Sequence, residues 1–241
     1  MNSQVFKQER VSQRETLLKT LLKRFSSLGA VAIHQFGSIA KNSSDEFSDL
    51  DLWITFNDSQ VGEIVKNRNM IFSGIGKLLI KHETPKNSPL GGRYSLVIYE
   101  IDNQPYQVDF YLSPMSNAYI LHEAKLIYGK DILPRGNWVL DEKAQSAQSL
   151  TECVNFLICM SFIGIKKVVR KDLDFTDFLI SNYTQSKNKF FSQHAEINDK
   201  KGLVPIKLIL KELSTVANPS QYYAITKILN FLDTVRELYQ I

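Results

Sequence analysis

Hydrophobic periodicity gives the first half of the chain mixed patterns and the second half helical ones. Along residues 4–28, leucine and phenylalanine recur at helical spacing, which predicts a first helix that ends at Gly29. Short apolar runs at residues 30–36 and 50–56 predict two buried strands. Residues 59–82 again follow the helical spacing, so a second helix is predicted there.

Two alternating runs rich in aromatic and β-branched residues, 94–101 and 106–112, predict the strands of a β-hairpin. The residues between them, Asp102-Asn103-Gln104-Pro105, are typical of a turn. A polar stretch at residues 134–146 contains proline and glycine, and we interpret it as a linker.

Every segment beyond this linker has a helical pattern. Three helices are predicted at residues 150–170, 175–190 and 203–216. A last helix should begin at Pro219, with Asn218 as its N-cap. The predicted fold is therefore an α/β (α+β) domain over residues 1–145, with a small mixed sheet flanked by helices. An all-α helical bundle domain over residues 146–241 should follow it.

The net charge and the length of the apolar stretches indicate which kinds of ligand and partner to expect. The chain of 241 residues carries a mild net charge of +4, and its basic residues form no stripe. A nucleic-acid partner is therefore not expected, whereas an anionic small ligand such as a nucleotide suits this charge. The longest apolar stretch, residues 153–165, is interrupted by polar residues and is too short to span a bilayer. We expect it to form a buried helix, without a membrane partner.

The two cysteines, Cys153 and Cys159, lie in this apolar stretch and point to different faces of the predicted helix. A disulfide between them is not expected, which fits a reducing compartment. The first residues of the chain are polar and lack the apolar core of a signal peptide. Together these features predict a cytoplasmic protein.

Candidate chemistry is concentrated in residues 34–56, HQFGSIAKNSSDEFSDLDLWITF. Asp49 and Asp51 are two apart on a predicted strand, so their side chains should share a face, with Cα atoms roughly 6.5 Å apart. Two neighbouring carboxylates repel each other unless a cation lies between them. Mg²⁺ prefers such oxygen ligands, and two ions about 3.5–4 Å apart can serve the attacking and leaving oxygens of a displacement.

A third carboxylate should come from a neighbouring strand. Asp109 is the lone charge in a strand-like run and is the first candidate, while Glu100 on the same predicted hairpin is an alternative base. The Gly37-Ser38 turn supplies a close backbone approach and a hydroxyl for a phosphate. Lys41 follows one turn later and can add positive charge.

This pattern resembles the signature of the DNA polymerase β-like nucleotidyltransferase superfamily: Gly-Ser, a spacer, Asp-x-Asp and a distant carboxylate. The matching positions are Gly37, Ser38, Asp49, Asp51 and Asp109. Residues 48–53 most resemble bacterial nucleotidyltransferases that adenylylate lincosamide or aminoglycoside antibiotics. Two positions depart from the common pattern, since Lys41 replaces an arginine and Asn42 a glycine.

The helical part resembles the lincosamide-type enzymes more loosely, through Asn155-Phe156-Leu157 and the helix that ends near Arg170. Lys166 and Arg170 lie four residues apart and so share a face of the predicted helix. The resemblance implies that these two side chains reach the bound nucleotide.

The resemblance also implies the activity. The expected reaction is a Mg²⁺-dependent transfer of a nucleoside monophosphate, in the first instance AMP, from a nucleoside triphosphate to a hydroxyl of a small molecule. Two Mg²⁺ ions are expected, with Mn²⁺ as a substitute. A lincosamide or an aminoglycoside is the leading acceptor, and the positive net charge favours a less cationic one.

Two alternatives remain open. One is transfer of a nucleotide onto a protein or an RNA, as in small nucleotidyltransferases of toxin–antitoxin pairs. The other is a non-catalytic nucleotide-binding regulator, which the third carboxylate argues against. The oligomeric state is left as monomer or homodimer.

Overall fold

A computed structural model describes residues 2–137, 139–141, 149–190, 197 and 201–241. The helices of these residues are α1 (Ser3–Ser27), α2 (Gly37–Ala40), α3 (Asp58–Ser73), α4 (Leu150–Val169), α5 (Asp174–Phe190), α6 (Leu203–Ser214) and α7 (Pro219–Tyr239). The strands are β1 (Ala32–Phe36), β2 (Leu50–Phe56), β3 (Lys77–His82), β4 (Arg93–Ile101), β5 (Gln104–Pro114) and β6 (Lys125–Gly129).

The strands form a single mixed sheet in the order β3-β4-β5-β2-β1-β6. The central strands β2 and β5 are parallel, whereas every other neighbouring pair is antiparallel. The predicted hairpin is β4–β5, and its two turn residues, Asp102 and Asn103, both have positive φ. Such angles match the twist of two-residue hairpin turns, and Asx side chains tolerate them.

The two faces of the sheet are covered by different helices. On one face, Leu50, Leu52 and Ile54 of β2 share a buried cluster with side chains of α1 and α3. On the other face, Leu96 and Ile98 of β4 share a cluster with α4, α5, α6 and α7. Because side chains alternate along a strand, Asp51 and the other odd-numbered residues of β2 point away from α1 and α3. The carboxylates of interest therefore lie on the face that the C-terminal helices cover.

The C-terminal helices agree with their predicted positions. Ser149 caps α4, and Asn218 caps α7 with Pro219 in its first turn, each through a reciprocal capping box. Cys153 and Cys159 are free thiols buried within α4. The predicted boundary between residues 145 and 146, and the last part of the predicted linker, lie outside the described residues. The division into two domains stays a prediction, and the helices share a continuous core with the sheet.

Two elements differ from the sequence interpretation. The helix predicted over residues 59–82 is shorter in the structure: α3 ends at Ser73, with Gly74 as its C-cap. Residues Lys77–His82 form the edge strand β3 instead. The apolar run Leu78-Leu79-Ile80 fits either periodicity, and pairing with β4 decides between them. The short strand β6 was not predicted; it completes the other edge of the sheet beside β1.

No helix in the described part of the chain combines the length and the apolar character needed to cross a membrane.

Candidate active site

The turn after β1 lies directly against β2. Phe36, the last residue of β1, pairs with Asp51. Gly37 follows with a φ of +71°, and a Cβ at this position would be only 2.1 Å from Oδ2 of Asp51. Glycine is therefore required here for two reasons, a left-handed backbone conformation and the absence of a side chain beside the carboxylate.

The parallel pairing of β2 and β5 brings two carboxylates together. Asp51 pairs with Asp109 in this register, and neighbouring strands lie only about 4.8 Å apart. Asp109 is 7% exposed. Asp49 immediately precedes β2, two residues from Asp51. The structure thus places Asp51 beside Asp109, with Asp49 two residues before Asp51 along the chain.

Burial and mutual repulsion perturb these carboxylates. Burial and the charges of Asp109 and Asp49 raise the pKa of Asp51 well above its ordinary value. Burial and the charge of Asp49 raise the pKa of Asp109 to about 6. This elevation persists although the Tyr94 hydroxyl and the Gln107 amide each donate to Asp109, at 2.7 Å. The cluster therefore concentrates negative charge that a cation would relieve.

Lys166 reaches this cluster from α4. Its side chain is almost wholly buried, and its Nζ donates to Oδ1 of Asp49 and, at 2.7 Å, to Oε1 of Gln107. Burial lowers the pKa of Lys166, which the charge of Asp49 partly offsets. The predicted nucleotide-side lysine is thus in direct contact with a predicted metal ligand.

Ser38 and Arg170 belong to a second hydrogen-bonded group beside the cluster. The Ser38 hydroxyl donates to Oγ of Ser48 at 3.0 Å, and the Ser48 hydroxyl donates to Asp45 at 3.0 Å. Arg170 donates from Nε and Nη2 to both carboxylate oxygens of Asp45, at 2.8 and 2.6 Å. Although burial opposes ionisation, this guanidinium lowers the pKa of Asp45 to about 2. The arrangement ties the end of α4 to the loop before β2.

Two other predicted residues lie outside the carboxylate cluster. Lys41 is exposed and forms an ion pair with Glu123 at 3.5 Å. Glu100 pairs with Pro105 near the hairpin turn, whereas Asp109 pairs with Leu96 further along β4. Lys77 and Lys227 both form ion pairs with Glu100, at 2.9 and 2.8 Å. The register therefore places Asp109, and not Glu100, beside Asp51.

The sequence interpretation missed two residues of the site, Gln107 and Tyr94. Gln107 lies two residues before Asp109 on β5, so strand alternation alone places both on one face. Tyr94 lies on β4, and its contact with Asp109 depends on the pairing of the hairpin. Gln107 could therefore have been found from its spacing to Asp109, whereas nothing in the local sequence indicates Tyr94.

The donor set fits a hard divalent cation in its chemistry. Among the described residues, no three His, Cys, Asp or Glu side chains already converge as a metal site. Burial and mutual repulsion nevertheless raise the pKa values of Asp51 and Asp109, and a bound cation would oppose both effects. The Lys166 ammonium lies on Asp49, where it supplies part of that charge. Carboxylate oxygens are the ligands that Mg²⁺ and Mn²⁺ prefer, so Asp49, Asp51 and Asp109 are the residues that would hold such an ion.

Comparison with known protein families gives a match over the first part of the chain. Residues 16–122 match the family model described as a nucleotidyltransferase domain, and this interval contains the Gly37-Ser38 turn and all three carboxylates. No curated protein matches the chain. Members of the family transfer nucleotidyl groups and generally use divalent metal ions. Residues 16–122 are therefore a nucleotidyltransferase domain of the DNA polymerase β-like superfamily, and the match does not extend to the C-terminal helices.

Proposed function

We propose that this protein transfers a nucleoside monophosphate, in the first instance AMP, from a nucleoside triphosphate to a hydroxyl of a small molecule in a Mg²⁺-dependent reaction. The observation that carries the proposal is the placement of Asp51 beside Asp109 in the parallel register, with the backbone of Gly37 against Asp51. The phosphates of a nucleotide bound at the Gly37 turn would then lie next to the carboxylates of Asp51 and Asp109.

In this proposal Asp49, Asp51 and Asp109 are the metal ligands. Two bound Mg²⁺ ions, or Mn²⁺ in their place, would supply neutralisation of phosphate charge and polarisation of the reacting oxygens. Asp51 is the ligand nearest to the Gly37 turn, and Asp109 is the ligand contributed by the neighbouring strand. These positions suit Asp51 to the nucleotide side and Asp109 to the acceptor side.

The remaining predicted residues would bind the triphosphate. Backbone N–H groups of the turn at Gly37 and the Ser38 hydroxyl can donate to phosphate oxygens. Lys166 lies at Asp49, so a short movement of its ammonium would bring it to a phosphate. Arg170 and Lys41 lie further out and would add positive charge at the entrance.

The chemical step follows from this placement. The acceptor hydroxyl attacks the α-phosphorus, a new phosphorus–oxygen bond forms, and the bond between that phosphorus and the bridging oxygen of the β-phosphate breaks. Pyrophosphate leaves with the electron pair, and Asp109 accepts the proton of the hydroxyl. Most of the rate enhancement would come from positioning and charge neutralisation.

The acceptor class rests on resemblance and on charge. Lincosamides and aminoglycosides are the leading candidates because residues 48–53 resemble the enzymes that modify them. An aminoglycoside is polycationic and would require an acidic pocket. The net charge of +4 favours the less cationic lincosamide type.

A pyrophosphate-release screen tests the proposal. Each of the four ribonucleoside triphosphates is offered with Mg²⁺ and with a panel of lincosamides, aminoglycosides and simpler hydroxylated molecules. We expect release that depends on one acceptor and is abolished in Asp51→Asn, an isosteric change that removes the charge of one ligand. Asp58→Asn, on the exposed N-terminus of α3, is the matched control.

The possible outcomes separate the alternatives. Nucleotide binding without release in the small-molecule panel, followed by labelling of a protein or an RNA with α-phosphate-labelled ATP, would replace the small acceptor by a macromolecule. Binding without any transfer would indicate a regulator. Unchanged release in Asp51→Asn, at an unchanged melting temperature, would contradict the metal site itself.

A further inference from the structure

A continuous series of hydrogen bonds joins α4 to the third carboxylate. The Lys166 ammonium donates to Oε1 of Gln107 at 2.7 Å, and Nε2 of Gln107 donates to Oδ2 of Asp109 at 2.7 Å. The Tyr94 hydroxyl donates to the other carboxylate oxygen, Oδ1, at 2.7 Å. Gln107 is only 6% exposed and lies at the centre of this series.

We propose that Gln107 is a positioning residue, which orients Asp109 for the acceptor and connects it to Lys166. The inference rests on the proposed nucleotidyl transfer, because it assigns a task within that site. The family match assigns no role to this residue, and its position two residues before Asp109 indicates only that the two share a face of β5.

The orientation of the Gln107 amide is fixed by its neighbours. An ammonium has donors only, so Lys166 can meet only the carbonyl end of the amide. An ionised carboxylate has acceptors only, so Asp109 can meet only the amino end. A flipped amide would face a donor with a donor and an acceptor with an acceptor, and burial would leave both without water. Gln107 is therefore held in one orientation between two charged groups.

The orientation of Asp109 depends in turn on Gln107. One donor serves each oxygen of this carboxylate, Tyr94 on one side and Gln107 on the other. Each oxygen keeps further lone pairs for a metal ion or for the acceptor proton. Without Gln107 the carboxylate could rotate about its side-chain bonds, since only the Tyr94 hydroxyl would still hold it among these donors.

The position of the Lys166 ammonium depends less on Gln107 than the orientation of the Asp109 carboxylate does. Its ammonium also donates to Asp49, and that contact survives the loss of the amide. Replacing Gln107 should therefore lower turnover more than nucleotide affinity. This split distinguishes a positioning role from a general structural one.

The test compares Gln107→Leu with Gln104→Leu. Gln104 starts the same strand, and its buried Oε1 has no hydrogen-bond partner among the described residues, so the same replacement there breaks no hydrogen bond of that oxygen. We expect Gln107→Leu to lower the single-turnover rate at saturating nucleotide by about ten- to a hundredfold, the size of one hydrogen bond to a charged group. The dissociation constant of Mg-ATP, measured by calorimetry, should change less than about threefold.

A second variant separates the two ends of the amide. Gln107→Glu keeps an oxygen for Lys166 but, when ionised, has no hydrogen to donate to Asp109. We expect its rate to be as low as that of Gln107→Leu or lower. A wild-type rate in either variant would overturn the proposal, as would a loss of nucleotide affinity equal to the loss of rate.

A readout without catalysis keeps this inference distinct from the proposed function. The side-chain amide protons of Gln107 should exchange slowly with solvent in the wild type and faster in Asp109→Ala, as measured by NMR on the ¹⁵N-labelled protein. Equal exchange in both would refute the Gln107–Asp109 contact, whatever the activity. Slow exchange with no transfer by the wild type would instead refute the proposed function and leave the contact intact.

Discussion

Gly37 and Asp51 lie so close that no side chain fits between them. A Cβ at Gly37 would be 2.1 Å from one carboxylate oxygen of Asp51 and 3.0 Å from its Cγ. The contact joins the turn after β1 to the proposed metal ligand on β2. Substitution at either residue should therefore disturb the other.

Gly37→Ala should lower both stability and nucleotide binding. Its positive φ costs an L residue about 1–2 kcal/mol, and the added methyl must also displace Asp51. Gly202→Ala is the control for backbone strain without a close contact, because Gly202 has a φ of +87° and a ψ of −157° but nothing within 4 Å of its added Cβ. Urea denaturation and calorimetry with Mg-ATP measure the two effects. If Gly202→Ala lowered the affinity for Mg-ATP as much as Gly37→Ala does, the close contact with Asp51 would not explain the loss of nucleotide binding.

Asp109→Ala should keep much of the Mg-ATP affinity but lose turnover. Loss of a general base alone typically lowers rates by about 10²–10⁴-fold, and loss of a metal ligand should add to this. Glu100→Ala, on the same hairpin, should retain wild-type turnover, because Lys77 and Lys227 hold Glu100 away from the cluster. Nucleotide affinity and single-turnover rate are measured for both variants. If Asp109→Ala is active and Glu100→Ala is not, the base has been assigned to the wrong strand.

Lys166→Met should destabilise the metal-free protein and make it respond strongly to Mg²⁺. Removing one partner of a buried ion pair costs about 3–5 kcal/mol, and the lower end applies because the Asp49 side chain is 25% exposed. A divalent ion can then supply the missing charge, so Mg²⁺ should raise the melting temperature of the variant more than that of the wild type.

Lys167→Met provides the control for this substitution. Lys167 is the next residue of α4, its side chain is 38% exposed, and it pairs with Asp172 at the surface. Its replacement should change stability by less than about 1 kcal/mol. A Mg²⁺ response of the same size in both variants would indicate that Lys166 does not substitute for a cation at Asp49.

His82 should make stability depend on pH between about 6.5 and 4. Burial lowers the pKa of His82 to about 4, so over this range the unfolded chain binds a proton that the folded protein does not. The folded protein is not destabilised by His82 above pH 6.5, the ordinary pKa of histidine in the unfolded chain. The free energy of unfolding then decreases as the pH falls towards 4. His82→Gln should flatten this part of the profile, by about 3 kcal/mol at most.

Urea denaturation at several pH values between 4.5 and 7.5 measures this effect. His122→Gln, the same replacement at an exposed position, is measured alongside as the control for the substitution itself. Parallel profiles for wild type and His82→Gln would mean that His82 is protonated equally in the folded and unfolded states.

Much of the local structure follows from the sequence. Helical periodicity predicts α1 and the helices beyond residue 149, and the Asn218-Pro219 pair locates the start of α7 to the residue. The run at residues 50–56 predicts β2 with its correct bounds. These signals are local, because periodicity and capping involve residues within a few positions of each other.

The two edge strands, β3 and β6, could not be predicted from local sequence patterns. Residues 77–82 contain an apolar run that satisfies helix and strand alike, and β6 is short and largely exposed. Each becomes a strand because a neighbour offers backbone hydrogen bonds, β4 for one and β1 for the other. The choice depends on residues far away in sequence.

The sequence by itself determined the residues available to the site: a glycine turn, two carboxylates two residues apart at the start of one strand, and a third carboxylate on a later strand. The tertiary structure decided which of them meet. The parallel register of β2 and β5 places Asp109 beside Asp51, and the docking of α4 brings Lys166 to Asp49 across 117 residues of chain. Register and docking are set by burial of the whole sheet face against the C-terminal helices, a long-range balance that no local pattern contains.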